Sequence, residues 1–522
     1  MSERNTRDVS RRSFLGWSAG TVAALSLPRC AQQERGPRGD AIVIGSGFGG
    51  SIAALRLAQA GVSVTVLERG RRWPITSDGS TFPSLLEPDQ RAAWLSTTTA
   101  LPGAPSATFE PYAGLLERFR GDGMDVIRAA AVGGASLVFG GIMVTPPRSL
   151  FESIFPREVS YSDLERTYYP RVREMMRVSR IPDDILNSGP YESTRIFLDQ
   201  ANKAGLDTVI IENAIDWDLI RAELDGRHSP QAIVGEYNYG LNSGAKNSLD
   251  RNYLADAEAT GRVDVRPLHR VTGISEDPPG GYTVTAERID EHGTILESIT
   301  LSGRYLVLGA GSIGSTGLLL KARSEGTLPR LPVSIGEGWS NNGQNILFRG
   351  GLGVDTGAYQ GGPPTAFARH LDNPIGPVSI ENGPGPIGFE CQCLIHIGHG
   401  VTTGVGSMSW DRDAGALKLT WDASHNTQAR DAALHTLDLM NQANGGQVVA
   451  FPGFEEPATY HPLGGAVMGQ ACDTFGRVHG HPGLYVVDGA LIPGSVPTAN
   501  PALTIAAIAE RCLDDIVAND LG

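Results

Sequence analysis

The feature that most constrains the fold is a glycine-rich segment between two short apolar runs. Ala41–Ile44 is predicted to be a buried strand, the residues GSGFGG follow it at 45–50, and a helix is expected at 51–60. A glycine ends that helix, and Val62–Leu67 is predicted to be a second buried strand that ends at Glu68. Strand, glycine turn, helix and strand in this order predict a Rossmann-type βαβ unit.

Each glycine of this segment has a physical reason to be there. The first allows a tight turn, the second lets the backbone approach a pyrophosphate, and the last permits close packing of helix on strand. The free N–H groups at the helix start favour phosphate. A carboxylate at Glu68 would accept hydrogen bonds from ribose hydroxyls and repel a 2′-phosphate, which argues against NADP. A glycine turn without a ligand is the alternative interpretation. The predicted binding residues are Gly45, Gly47, Phe48, Gly49, Gly50 and Glu68.

Three later segments are predicted to complete the same domain. One is a second glycine-rich loop at 131–142, which contains Gly133, Gly134 and Gly140. The second is a buried strand at 305–308 that runs into a glycine turn. The third is a strand at 484–487 followed by Asp488 and Gly489, which are suited to a ribityl or phosphate group.

Strands of one domain thus recur near residues 42, 306 and 486, so a second domain must be inserted twice between them. The predicted fold class is α/β, with a Rossmann-like nucleotide-binding domain and an inserted substrate domain. The predicted boundaries are an export signal and linker at 1–39, the nucleotide domain at 40–72, 247–336 and 476–522, and the substrate domain at 73–246 and 337–475.

Charge and cysteine content exclude several classes of protein. The net charge is −14, and because the first 39 residues carry seven arginines and three acids, the remaining chain is still more acidic. Binding to a nucleic-acid backbone is therefore not expected. Five scattered cysteines are too few for a disulfide scaffold.

The N-terminus has the pattern of an export signal. Arg11 and Arg12 precede an apolar run at 13–27, which is shorter than the roughly 20 residues that a membrane span needs. Twin arginines before such a run are typical of the Tat pathway, which predicts a secreted, periplasmic or cell-surface protein. Cys30 suggests a lipoprotein, but Arg29 stands where a small residue is expected. The cleavage point stays open.

Two polar residues that precede proline are candidates for chemistry. His461 precedes Pro462, and Asn500 precedes Pro501 at the expected start of a C-terminal helix. The dipole of that helix would favour a group that becomes anionic, such as a reduced flavin. The alternatives are a packed structural histidine and a plain helix N-cap at Asn500.

The segment at 391–399 could be interpreted as a metal site. Its possible donors are Cys391, Cys393, His396 and His399. However, residues 389–397 alternate as a strand that places both cysteines on one face and His396 on the other, and one tetrahedral site would need ligands from both faces. We therefore expect no metal.

At this point the chain resembles a known family. The segments that carry the resemblance are 45–73, 111–114, 132–138, 308–312, 460–465 and 488–495. In them the chain is similar to the bacterial cholesterol oxidases of the glucose–methanol–choline (GMC) flavoprotein family, from about Ala41 to the C-terminus. The resemblance implies non-covalently bound FAD, a substrate domain floored by an antiparallel sheet, and oxidation of a sterol 3β-hydroxyl.

The resemblance also assigns roles to residues. His461 and Asn500 would hold the substrate hydroxyl near the flavin, with His461 orienting the hydroxyl or accepting its proton. Glu381 would move the Δ5 double bond into conjugation, and Glu390 is its rival. Further flavin contacts are expected at Phe139, Ile142 and Val271.

Some positions depart from the family pattern. Phe139 stands where the family has asparagine, and Ile142 stands where it has methionine. The loops at 341–344 and 495–500 each look one residue longer. These changes leave the oxygen reactivity and the substrate open.

The expected partners are a sterol or steroid and O2 or another electron acceptor, with transient contact to a membrane surface while substrate is extracted. We expect a monomer. The alternatives are a dehydrogenase for another bulky secondary alcohol with a non-oxygen acceptor, a flavoprotein without net redox chemistry such as an isomerase, and a non-enzymatic binding protein.

Overall fold

The computed structural model describes residues 39–277, 280–402, 405–450, 453–454 and 456–521. The predicted export signal, with Cys30, lies outside these residues apart from Gly39. In the described part, no helix is both long and apolar enough to cross a bilayer.

The strands are, in chain order, β1 Gly39–Ile44, β2 Val64–Leu67, β3 Leu116–Phe119, β4 Asp125–Ala129, β5 Ser179–Arg180, β6 Asp207–Ile210, β7 Glu212–Asn213, β8 Val263–Arg266, β9 His269–Glu276, β10 Tyr282–Ile289, β11 Ile295–Leu308, β12 Gln344–Gly350, β13 Ala366–His370, β14 Val378–Asn382, β15 Leu394–His399, β16 Ser407–Asp411, β17 Ala416–Thr420, β18 Gln447–Val449, β19 Ala458–Thr459 and β20 Leu484–Val486.

The α-helices are, in chain order, α1 Phe48–Gln59, α2 Arg148–Ile154, α3 Tyr161–Asp163, α4 Tyr169–Met175, α5 Asp183–Leu186, α6 Glu192–Lys203, α7 Trp217–Leu224, α8 Tyr253–Ala259, α9 Gly311–Glu325, α10 Thr427–Asn444 and α11 Ala502–Asn519.

The first sheet is built around the apolar runs that the sequence singled out. Its order is β8-β2-β1-β11-β10-β9, and β20 also pairs with β11. Strands β8, β2, β1, β11 and β20 are parallel, and the antiparallel strands β10 and β9 extend the sheet. The centre of the sheet is almost fully buried, as expected for parallel strands covered on both faces. The predicted strands near residues 42, 306 and 486 therefore lie together.

The helix that follows β1 starts slightly earlier than the sequence suggested. It spans Phe48–Gln59, so the last fingerprint glycines lie in its first turn, and Gly61 beyond its end has φ +91°. The helix packs against α8 and α11.

The second sheet is antiparallel and provides a floor for the candidate site. Its order is β18-β12-β15-β14-β13-β6. Because side chains alternate along each strand, Phe367, Glu381 and His399 share one face and Ile380 and His396 share the other. Helices α6 and α10 cover the second of these faces. The predicted fold class, a Rossmann-like unit with an inserted domain on an antiparallel sheet, is confirmed, whereas the predicted domain boundaries stay a prediction.

Candidate functional site

The glycine turn after β1 has no room for side chains on its inner side. Gly45 has φ +88°, and a Cβ there would lie 2.5 Å from the carbonyl oxygen of Gly309. A Cβ on Gly50 would lie 1.9 Å from the carbonyl oxygen of Gly45. At Gly47, by contrast, the nearest atom to an added Cβ is 3.7 Å away. The turn is therefore packed tightly on one side and leaves the backbone of Gly47 open to a ligand.

The carboxylate of Glu68, at the end of β2, accepts hydrogen bonds from this turn. Its side chain is 5% exposed, and Oε2 accepts hydrogen bonds from the amide of Ser46 at 3.0 Å and from its hydroxyl at 2.7 Å. Oε1 accepts from the amide of Gly70 at 2.8 Å. The carboxylate thus has a structural task that the sequence did not reveal, and its binding to a ribose stays a prediction.

The second glycine loop packs directly on the first. A Cβ on Gly134 would lie 2.6 Å from the Cα of Gly47, and the amide of Gly133 donates to the hydroxyl of Ser46 at 3.1 Å. The rings of Phe139 and Phe48 meet edge to face with centroids 5.8 Å apart. The loop at 131–142 and the fingerprint therefore form one surface.

The remaining predicted flavin contacts lie around these loops. Ile142 is buried and bridges to Asn213, and Gly140 precedes it, with its carbonyl accepting from the side chain of Asn213. Val271 lies on β9, partly buried against the main core.

Asp488 ties the C-terminal segment to the same region. One of its carboxylate oxygens accepts from the amide of Gly311 at 2.7 Å and from the hydroxyl of Ser315 at 2.5 Å. The other accepts from the amide of Ala490 at 2.8 Å, and burial raises the pKa of the carboxyl. The carbonyl oxygen of Gly489 accepts from the amide of Gly464. Segments far apart in sequence therefore converge where a dinucleotide is expected.

The three candidate catalytic residues come together at the face of the second sheet that α6 and α10 do not cover. Glu381 on β14 is 1% exposed, and the amide nitrogen Nδ2 of Asn500 donates to its Oε2 at 3.1 Å. Nε2 of His399 lies 2.8 Å from the same oxygen. The ring of His461 stacks on that of His399, with centroids 5.4 Å apart and an interplanar angle of 29°. His399 is the member that sequence reasoning missed, since it was considered only as a metal donor.

Asn500 is not the helix N-cap that the sequence predicted. Helix α11 begins at Ala502, Pro501 occupies the cap position, and no side chain caps it. The loop before it is fixed by Asn342, whose Nδ2 donates to the carbonyl of Ala499 at 2.9 Å and whose Oδ1 accepts from the amide of Val496 at 2.7 Å. The side chain of Asn500 is thereby directed to Glu381.

His461 is poised to act as a proton acceptor. Burial, and after it the neighbouring His399, lowers the pKa of His461 well below its ordinary value, so the imidazole is neutral at pH 7. Its backbone amide donates to the hydroxyl of Thr459 at 3.0 Å. Its buried Nδ1 has no hydrogen-bond partner among the described residues.

The neutral state of His461 predicts how stability depends on pH. The folded state keeps this imidazole neutral, whereas the unfolded chain protonates it below about pH 6.5. Its contribution is therefore complete above that pH and is lost as the pH falls, by up to about 1.4 kcal/mol per pH unit. We expect His461→Gln to lose less thermal stability between pH 7.5 and 5 than the parent, measured by calorimetry. The same change at the exposed His228 is the control, and equal pH dependence in all three proteins would contradict the expectation.

Glu390, the alternative carboxylate, and Cys391 and Cys393, two of the possible metal donors, make other contacts. Glu390 is exposed, and its Oε1 accepts from the backbone amides of Thr356 and Gln392. Cys391 and Cys393 form a disulfide with Cα atoms 5.1 Å apart. The described residues contain no group of three or more metal donors.

The predicted strand at 389–397 was wrong at its start. Strand β15 begins only at Leu394, because the disulfide draws residues 391 and 393 together and Gln392 has φ +50°, outside the extended region. Within β15 the alternation holds, and His396 lies on the face opposite His399.

Comparison with known proteins agrees with this geometry. Residues 407–509 match the family description "GMC oxidoreductase", residues 343–451 match "GMC oxidoreductase, C-terminal", and residues 43–77 match "NAD(P)-binding Rossmann-like domain". A cholesterol oxidase of Mycobacterium tuberculosis is 26% identical over 91% of this chain and 90% of that protein. A cholesterol oxidase of Acinetobacter baumannii is 24% identical over 92% of this chain and 94% of that protein.

The fold agrees as well. The crystal structure of pyridoxine 4-oxidase from Mesorbium loti superimposes with a TM-score of 0.63 at 16% identity, and covers 92% of this chain and 99% of that one. The chain is thus similar to GMC oxidoreductases and is cholesterol oxidase-like in sequence.

Proposed function

We propose that the protein is an FAD-dependent oxidase of a steroid 3β-hydroxyl that also moves the Δ5 double bond of the product into conjugation. The GMC family implies a flavin and an alcohol substrate. The observation that carries the finer proposal is the meeting of Glu381, Asn500 and His461, which come from three distant segments, at one buried place. The names of the relatives support a sterol as substrate.

The described residues fit FAD. The open backbone at Gly47, the start of α1 and the second glycine loop would hold the pyrophosphate, with Glu68 at the ribose. The buried Oδ1 of Asn500 and Nδ1 of His461 have no partner among the described residues, as expected for atoms that face a ligand. When bound, the flavin would take the hydride from the carbinol carbon.

The side chains around the hydroxyl would orient it and remove its proton. The neutral His461 accepts the proton of the substrate hydroxyl as the carbon loses its hydride. The second N–H of the Asn500 amide, the one that is not bonded to Glu381, would donate to the same oxygen. The backbone at His461 is held by the hydroxyl of Thr459 and the backbone next to Asn500 by the side chain of Asn342, so both groups need little reorganisation during the reaction.

Isomerisation needs a group that removes a proton from one carbon and returns it to another, and Glu381 is that group. Its carboxylate removes a proton from C4 of the Δ5-3-ketone and returns that proton to C6, so the double bond moves from C5–C6 to C4–C5 with no change in oxidation state. The residue is buried, which keeps water from exchanging the proton.

The experiment that tests the function follows the colour of the purified yellow protein. Under anaerobic conditions a 3β-hydroxysteroid is expected to bleach the flavin, and its 3α-epimer, the matched control, is not. Admission of O2 should restore the colour and release one H2O2 per turnover. Bleaching without reoxidation by O2 would indicate another electron acceptor. Bleaching by other alcohols alone would exclude a steroid, and no bleaching by any alcohol would leave a non-redox role.

A further inference from the structure

The carboxylate of Glu381 is held in place by two neighbouring side chains and is not free to rotate. Both Nδ2 of Asn500 and Nε2 of His399 lie within hydrogen-bond distance of Oε2, at 3.1 Å and 2.8 Å. Of the described residues, none donates to Oε1. The two oxygens of one carboxylate are therefore differentiated by their surroundings.

The position of His399 is fixed by the second sheet. It ends β15, where it pairs with Gln344 of β12 and with Ser379 of β14. Its side chain is fully buried, and its ring also lies 5.8 Å from that of Phe367. A ring fixed in this way can hold Glu381 in one orientation.

The surroundings of His399 also indicate its tautomer. Its Nδ1 is buried and has no hydrogen-bond partner among the described residues. A proton on Nδ1 would be a buried N–H without an acceptor, which is costly, whereas a proton on Nε2 is accepted by the carboxylate. Of the two tautomers, the one with its proton on Nε2 is therefore favoured.

We propose that His399, which donates from Nε2, is the positioning residue that ties Oε2 of Glu381 and leaves Oε1 as the oxygen that carries the substrate proton. This role deepens, and rests on, the proposed isomerisation. When Oε1 takes the proton from C4, Oε2 becomes the carbonyl oxygen of the acid and still accepts both hydrogen bonds. The donors Asn500 and His399 can therefore bind Oε2 in both protonation states of the Glu381 carboxyl group without rearrangement.

The two variants that test this role, His399→Gln and His399→Asn, differ only in the length of the side chain that carries the amide. In His399→Gln the side-chain amide can stand where Nε2 stood, and in His399→Asn it cannot. Androst-5-ene-3,17-dione is supplied directly to the oxidised holoenzyme, so that enone formation is measured without flavin reduction. We expect His399→Asn to form the enone about 10- to 100-fold more slowly and His399→Gln to be close to the parent.

Ser379→Ala is the packing control. Ser379 lies directly opposite His399, is buried, and its hydroxyl has no partner among the described residues. We expect its rate of enone formation to match that of the parent. A loss in Ser379→Ala as large as in His399→Asn, or an unchanged His399→Asn in a parent that isomerises, would overturn the role of His399.

A spectroscopic readout separates this inference from the isomerase activity. In protein labelled with 15N-histidine, the ring signal that disappears in His399→Gln is expected to show a protonated Nε2 and a bare Nδ1, and to shift in Glu381→Gln. That result in a parent that forms no enone would leave the pairing in place and reject the isomerase. A protonated Nδ1, or a signal insensitive to Glu381→Gln, would overturn the pairing whether or not the parent isomerises.

Discussion

A Glu381→Gln variant that is given a Δ5-3β-hydroxysteroid is expected to release the unconjugated Δ5-3-ketone, while the parent releases the conjugated Δ4-3-ketone. Glutamine keeps the shape of the side chain and can still accept from Asn500 and His399, but it cannot carry a proton. A positioned proton-transfer group contributes about 10²- to 10⁴-fold, so enone formation should fall by that order. Flavin reduction should fall less, because hydride transfer does not use this proton.

The measurement follows absorbance at the enone band beside the bleaching of the flavin in one stopped-flow experiment. Glu390→Gln is the matched control, since that carboxylate is exposed and occupied by backbone amides. Enone formation at the parental rate in Glu381→Gln, together with a loss in Glu390→Gln, would transfer the role to Glu390. A parent that forms no enone would show that it oxidises without isomerising.

An Asn500→Leu variant is expected to fold and to retain flavin, but to reduce it about 100-fold more slowly or worse with the best steroid. Leucine fills a similar volume and removes the amide that donates to Glu381 and faces the hydroxyl. Loss of an orienting group near the reacting atoms has effects of this size. Because Asn500 does not cap α11, helix stability should change little.

Ser495→Ala serves as the control on the same loop. Ser495 is buried and its hydroxyl has no partner among the described residues. Its reduction rate should equal that of the parent, with similar melting temperatures for all three proteins. If Asn500→Leu reduced the flavin as fast as Ser495→Ala does, Asn500 would have only a structural role.

The parts of the molecule that the sequence predicts well are those governed by neighbouring residues. The turn at Gly45 and the helix after it follow from steric and capping rules that act within a few positions. The apolar runs near residues 42, 306 and 486 are buried on both faces, so composition alone indicates parallel strands. These features need no knowledge of the rest of the fold.

The parts that it predicts poorly depend on contacts between distant residues. As a local pattern Asn500 before Pro501 indicates an N-cap, but a hydrogen bond to Glu381, 119 positions away, determines where the side chain points. His399 meets Glu381 only because β14 and β15 pair in a particular antiparallel register, which no local pattern specifies. The contact between Cys391 and Cys393 likewise determines where β15 begins.

The packing of the fingerprint on the last strand of the first sheet has a consequence for the order of events during synthesis. A Cβ on Gly49 would lie 2.1 Å from the carbonyl oxygen of Val487, and Asp488 holds the start of α9. The fingerprint at 45–50 is thus synthesised more than 400 residues before the segment at Val487 that packs against it. A pocket built in this way is incomplete until the segment around Asp488 has been synthesised and has packed against the fingerprint, so a bound nucleotide can be fully enclosed only after that step.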